Sequence, residues 1–170
     1  MPNIYLLGFM GSGKSTVGPM LARLLGRPFY DLDQLIEKDR RMTISEIFET
    51  RGETYFREVE TRLLLESESL APYVMALGGG TFVSAANRDF VARHGTSVWL
   101  KIDLEVAHQR CHSKSDRPLA RDPERFKALL DFRRQFYQSA DLHVDTENKS
   151  PDQISLEIQK ALIKKSDFRI

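Results

Sequence analysis

Apolar positions along this chain follow two different periods. Short apolar runs recur at residues 4–7, 28–32, 73–77, 97–102 and 142–144, each the length of one strand. Between them the spacing widens to three and four residues, as in Val17, Leu21, Leu24 and Leu25. That wider period predicts helices at 15–25, 44–70, 85–93, 104–112, 123–139 and 151–164, the second of them broken near Gly52. Strands separated by helices form βαβ units, so the expected fold class is α/β with a central, mainly parallel five-stranded sheet. Right-handed crossovers then put helices on both faces, giving three α/β/α layers. Ligands of such sheets sit at the carboxyl ends of the strands. The loop after residue 7, Asp31 with Asp33, and Gly78 to Gly80 all follow strands directly and are expected to share that edge.

Two stretches fit the alternation poorly. Residues from about 33 to 62 are amphipathic and charged and read as an insertion over the ligand edge. Residues from about 112 to 124 carry Arg117, Pro118, Arg121 and Asp122 with little apolar content, which predicts a lid. There is no internal repeat, low-complexity tract or linker, and 170 residues suit a single domain.

Composition narrows the classes. Lys plus Arg is 25 against 24 for Asp plus Glu, so no bulk charge points to nucleic acid or a membrane surface. No apolar run approaches the roughly 20 residues of a bilayer span, and no cationic segment precedes the first apolar run as in a signal peptide. One cysteine, Cys111, cannot close an internal disulfide and is compatible with a reducing compartment. A cytoplasmic monomer is expected, without nucleic-acid or membrane partners.

The chemistry begins at Gly8-Phe9-Met10-Gly11-Ser12-Gly13-Lys14-Ser15, which fits G-x-x-x-x-G-K-[ST] between a strand and a helix. Glycines there let backbone N–H groups turn toward phosphate oxygens, and the helix N-terminus adds partial positive charge. Lys14 is placed for the β- and γ-phosphates and the Ser15 hydroxyl for Mg2+. Asp31 and Asp33 lie on one side of a strand end. Beside a bound nucleotide one holds the hydrated metal and the other accepts a proton from the attacking hydroxyl. The 73–77 strand ends in no aspartate, so Asp31 must take over the metal role. Arg57 and Glu60 are three apart on a helix, either a surface ion pair or a carboxylate-binding guanidinium oriented by its neighbour. Gly78, Gly79 and Gly80 permit close approach of a ligand to the backbone. Arg133 stands one turn before Tyr137 as a possible second guanidinium, and Arg117 is placed to cover the phosphates. His108 and His112 are four apart on a helix, yet no partner motif completes a zinc site.

Taken in order, the phosphate loop, Asp31-x-Asp33, Phe56-Arg57-x-x-Glu60, Gly78-Gly79-Gly80, Arg117-Pro118-Leu119 and Arg133-x-x-x-Tyr137 resemble the shikimate kinase family from Asn3 to about Lys164. The resemblance implies a P-loop fold of the nucleoside-monophosphate-kinase type. It also implies ATP- and Mg2+-dependent phosphorylation of the 3-hydroxyl of shikimate. By the same resemblance Gly11, Ser12, Gly13, Lys14, Ser15 and Thr16 hold the phosphates, while Ser15 and Asp31 serve the metal. Asp33 contacts shikimate hydroxyls as the candidate base. Arg57 and Arg133 grip the carboxylate, with Gly79 nearby and Glu60 orienting Arg57. Arg117 closes over the nucleotide, and Arg110 stacks near adenine. Three departures are visible: Pro19 inside the first helix, Arg134-Gln135-Phe136 before Tyr137 where a proline is usual, and no arginine in 145–151, where Asn148 or Lys149 must border adenine. Arg133 rather than Arg134 is favoured by its spacing to Tyr137. Rival readings are another small P-loop kinase, such as one acting on gluconate or a nucleoside monophosphate, and a silent nucleotide-binding module.

Overall fold

Side-chain alternation decides which face of the sheet each helix covers. The computed structural model describes residues 2–70, 72–112 and 122–167. Its elements run β1 (Asn3–Leu7), α1 (Lys14–Leu25), β2 (Phe29–Asp31), α2 (Leu32–Arg40), α3 (Ile44–Glu66), β3 (Val74–Ala76), α4 (Ala85–His94), β4 (Gly95–Lys101), α5 (Leu104–His112), α6 (Pro123–Tyr137), β5 (Leu142–Asp145) and α7 (Pro151–Asp167). On β1, Ile4 and Leu6 face one side and pack with Val17 and Leu21 of α1 and Ile154 and Ile158 of α7. Tyr5 and Leu7 face the other, among Ile36, Val59, Phe90, Phe126 and Leu130 from α2, α3, α4 and α6. Strands buried on both faces read as unbroken apolar runs, as parallel sheets require.

The sheet order is β2-β3-β1-β4-β5, and every pairing is parallel, with Leu6 opposite Ala76 and Leu7 opposite Trp99. The expected three-layer α/β fold with five strands is therefore present. Because β3 lies between β2 and β1, the carboxyl ends of these three strands are neighbours. The phosphate loop, Asp31 and the glycine run leave from those ends. No helix among the described residues is long and apolar enough to cross a membrane.

Two local expectations change. The run 28–32 does not continue as a strand: β2 stops at Asp31, whose carboxylate accepts from the backbone N–H groups of Asp33 (3.0 Å) and Gln34 (3.4 Å). This N-cap starts α2 at Leu32, a helix that alternation alone did not separate from the strand. β4 begins at Gly95, two residues before the apolar run. The break in α3 is where it was expected, with Gly52 at φ 81 and ψ 171. The N-terminal half of α3 opens on a reciprocal Thr43–Glu46 capping box. α1 continues through Pro19, which stands on its solvent side, where water can reach the Ser15 carbonyl that a proline cannot satisfy.

Candidate active site

The phosphate-loop half of the site is built by backbone. Gly11 (φ 81) and Gly13 (φ 92) hold left-handed conformations that other residues rarely adopt, and they curl the loop before α1. Gly13 is the N-cap of α1 without a side-chain cap, so the first N–H groups of the helix remain to face an anion. Lys14 Nζ donates to the carbonyls of Gly8 (2.7 Å) and Phe9 (3.2 Å), which holds its ammonium against the loop. Ser15 Oγ donates to Asp31 Oδ2 at 3.1 Å and joins the loop to the end of β2. From the other flank Arg110 Nη1 donates to the Gly11 carbonyl at 3.0 Å. Lys149 Nζ, held by Glu157 at 2.7 Å, closes the far rim.

The other half is organised around the glycine run after β3. A Cβ built on Gly78 would lie 2.8 Å from Asp33 Oδ1, 2.9 Å from Glu60 Oε1 and 3.0 Å from Thr81 Oγ1. One on Gly79 would lie 2.9 Å from Arg133 Nη1, and one on Gly80 2.8 Å from Arg57 Cζ. Five side chains, those of Asp33, Arg57, Glu60, Thr81 and Arg133, thus close on a turn that has no room for a side chain of its own. Glu60 is only 1% exposed, with Oε2 accepting from Arg57 Nη1 (2.8 Å) and Oε1 from Thr81 Oγ1 (2.6 Å). Arg57 lies over the Phe56 ring and Arg133 over Phe9, at 4.9 and 5.7 Å from the centroids. The Tyr137 hydroxyl donates to the Gly79 carbonyl and pins the turn.

The electrostatics follow from burial. Asp33 is pushed up from 3.8 to about 6, first by desolvation and then by the negative charges of Asp31 and Glu60, against the pull of Lys14 and Arg57. Burial lowers Arg133, and the like charge of Arg57 adds to that. Burial alone would lower Arg57 as well, but the charge and hydrogen bond of Glu60 outweigh it and raise the guanidinium. Two half-buried guanidiniums, of which only Arg57 has, among the described residues, a carboxylate partner to offset burial, form a place for an anionic group. Both halves open on one cleft of about 800 Å³, large enough for two small ligands side by side.

The shikimate kinase family model matches residues 10–163. The chain belongs to the shikimate kinase family. A shikimate kinase of Persephonella marina is 43% identical over 159 residues, 93% of this chain and 97% of that protein. Among solved structures, a shikimate kinase from Acinetobacter baumannii in complex with shikimate has a TM-score of 0.92 at 37% identity, covering 97% of this chain and 94% of that one. The shikimate kinase of Aquifex aeolicus has a TM-score of 0.88 at 39% identity, covering 96% and 98%.

For this member of the shikimate kinase family, the residues singled out in the sequence come together almost as a set. Gly11 to Thr16, Asp31, Asp33, Arg57, Glu60, Gly78 to Gly80, Arg110, Arg133 and Lys149 all line the cleft. Arg134 and Asn148 are not among its lining residues, and Asn148 instead takes a left-handed turn at φ 53. Arg117, and residues 113–121 of the expected lid, lie outside the described residues. The His108 ring packs edge-on against Phe126 at 5.3 Å, and no group of three metal-ligating side chains occurs among the described residues. Sequence reasoning passed over Thr81, whose hydroxyl holds Glu60, and over Ile44 and Phe48, which join Phe56 in an apolar wall of the cleft. Phe48 is 38% exposed and packs on Phe56 at 4.8 Å, across the Gly52 break that hides their shared face from helical spacing.

Proposed function

We propose that this chain transfers the γ-phosphate of ATP to the 3-hydroxyl of shikimate, giving ADP and shikimate 3-phosphate. One observation carries the reading: a phosphate loop, a carboxylate with a pKa near 6 and two guanidiniums open on a single cleft around one glycine turn. Family membership and a relative solved with shikimate support the choice of acceptor.

In this reading the N–H groups of Gly11 to Thr16 cradle the phosphates and Lys14 leaves its carbonyl partners for the γ-phosphate. Ser15 and Asp31 present a hydroxyl and a carboxylate oxygen 3.1 Å apart, hard donors of the kind Mg2+ takes, so the residues present fit that ion. When bound, Mg2+ neutralises charge on the phosphate oxygens. Arg57 and Arg133 receive the shikimate carboxylate, Glu60 keeps Arg57 in register, and the Gly79 backbone borders it. Asp33, lying between the two halves, receives the proton of the attacking hydroxyl; a pKa near 6 leaves it ionised at neutral pH and still basic enough to help. Arg110 and Lys149 flank the nucleotide base, and Arg117 covers the phosphates as residues 112–124 close. Residues 33–62 form the acceptor-binding insertion of a single domain. The enzyme acts as a cytoplasmic monomer, with no nucleic-acid or membrane partner.

The test is ADP release from Mg·ATP with shikimate, gluconate, nucleoside monophosphates or no acceptor. Release that depends on shikimate alone is expected. Turnover with a different acceptor only, or with none, would overturn the assignment.

A further inference from the structure

Arg57 is held by two glutamates at once. Glu60 holds its Nη1 at 2.8 Å, while Glu53 on the same helix reaches its Nε and Nη2 at 3.4 Å. Both contacts are made in one position of the guanidinium, which also lies against Gly80. The shorter is to Glu60, whose side chain is 1% exposed against 68% for Glu53, so the buried glutamate is the firmer anchor.

What keeps Glu60 in place is not on its own helix. Thr81 is fully buried, and its hydroxyl donates to Glu60 Oε1 at 2.6 Å. A buried carboxylate accepts at both oxygens, and leaving one without a donor costs far more than a neutral hydrogen bond contributes. Thr81 is itself held at both backbone groups. Its N–H donates to the Gly78 carbonyl (3.1 Å) and its carbonyl accepts from Asn87 Nδ2 (3.0 Å). Thr81 therefore opens a 3-10 turn (Thr81–Val83) tied back to the glycine run after β3, whereas Glu60 rides on α3 beyond the Gly52 break. Asp33, Glu60 and Thr81 also converge on the place a Cβ of Gly78 would take, at 2.8, 2.9 and 3.0 Å.

We propose that Thr81 is a positioning residue: through Glu60 it fixes the Arg57 fork that receives the acceptor carboxylate. The inference rests on the acceptor site described above. A serine keeps the donor; a valine keeps the shape and removes it.

The experiment is steady-state kinetics of Thr81→Val and Thr81→Ser with shikimate and ATP varied separately, with the thermal midpoint of each variant. Thr81→Val is expected to raise the KM for shikimate about tenfold, the scale of a hydrogen bond to a buried charge, with the KM for ATP and kcat within about twofold. Thr81→Ser is expected to return to within about threefold of wild type. In a Glu60→Gln background, Thr81→Val should add little, because both act on one element. A wild-type KM in Thr81→Val overturns the proposal, as does a serine variant as impaired as the valine. Loss of ATP use or of folding in Thr81→Val overturns it too, since Thr81 would then serve the fold as a whole. No turnover of shikimate by wild type would instead bring down the function beneath it, a result visible before any variant is made.

Discussion

Asp33→Asn is expected to make the protein more stable while stopping its chemistry. Asp33 titrates at about 6 in the folded protein against an ordinary 3.8. One pKa unit is worth about 1.36 kcal/mol, so holding this carboxylate ionised costs the folded state about 3 kcal/mol at neutral pH. The sign follows from proton counting. Between pH 4 and pH 6 the folded chain holds a proton on Asp33 that the unfolded chain has released, so this group's contribution to stability falls as pH rises. Asparagine carries no charge and escapes that cost. Urea denaturation of wild type and Asp33→Asn across pH 4 to 8 should show little difference near pH 4 and a gap approaching about 3 kcal/mol in the variant's favour above pH 7. Activity runs the other way. The base must be ionised, so kcat/KM for shikimate should be lost as pH falls through about 6, the value set by the same group. A stability gap that is constant with pH, or one that opens toward acid, would refute the electrostatic account of Asp33. On the proposed role of Asp33 this is a trade of stability for activity: the cost of a desolvated carboxylate is the condition for having a base at this place.

Lys14→Ala should damage nucleotide use itself, raising the KM for ATP, whereas Asp33→Asn should bind ATP nearly as wild type by calorimetry; equal losses would refute this division between the halves. Gly78→Ala places a methyl 2.8 Å from Asp33 Oδ1 and 2.9 Å from Glu60 Oε1. Overpacking of this kind costs about 1–3 kcal/mol, so a lower thermal midpoint and a raised KM for shikimate are expected together. Arg133→Lys should raise the KM for shikimate at least about tenfold, because an ammonium cannot reproduce a bidentate fork. Arg134→Lys, outside the cleft, should leave it within about twofold, and the opposite ranking would exchange the two residues' roles.

Much of this molecule was legible before any coordinates, and for a common reason. The phosphate loop is contiguous: its shape depends on left-handed glycines at positions 11 and 13 and on a helix starting at Lys14, all local facts. The strands are buried on both faces and so write themselves as apolar runs, which was enough for five parallel strands and three layers. The acidic pair, Arg57 with Glu60, and the glycine run could each be marked as chemistry by residue type and spacing.

Tertiary structure decided the matters that depend on groups distant in the chain. Asp31 ends β2 by capping α2, a competition between a side chain and the strand ladder that apolar alternation does not register. Thr81 carries no signal beyond following a glycine; only the packing of α3 against the turn after β3 sets its hydroxyl 2.6 Å from Glu60. Spacing to Tyr137 favours Arg133 over Arg134, and the helix face that meets Gly79 carries Arg133. Sequence by itself determined the chemical inventory and the local backbone that presents it, because those rest on short-range sterics and burial. The packing of the sheet determined the pKa of Asp33, the partner of Glu60 and the aim of both arginines, because desolvation and hydrogen-bond direction arise only where distant elements meet.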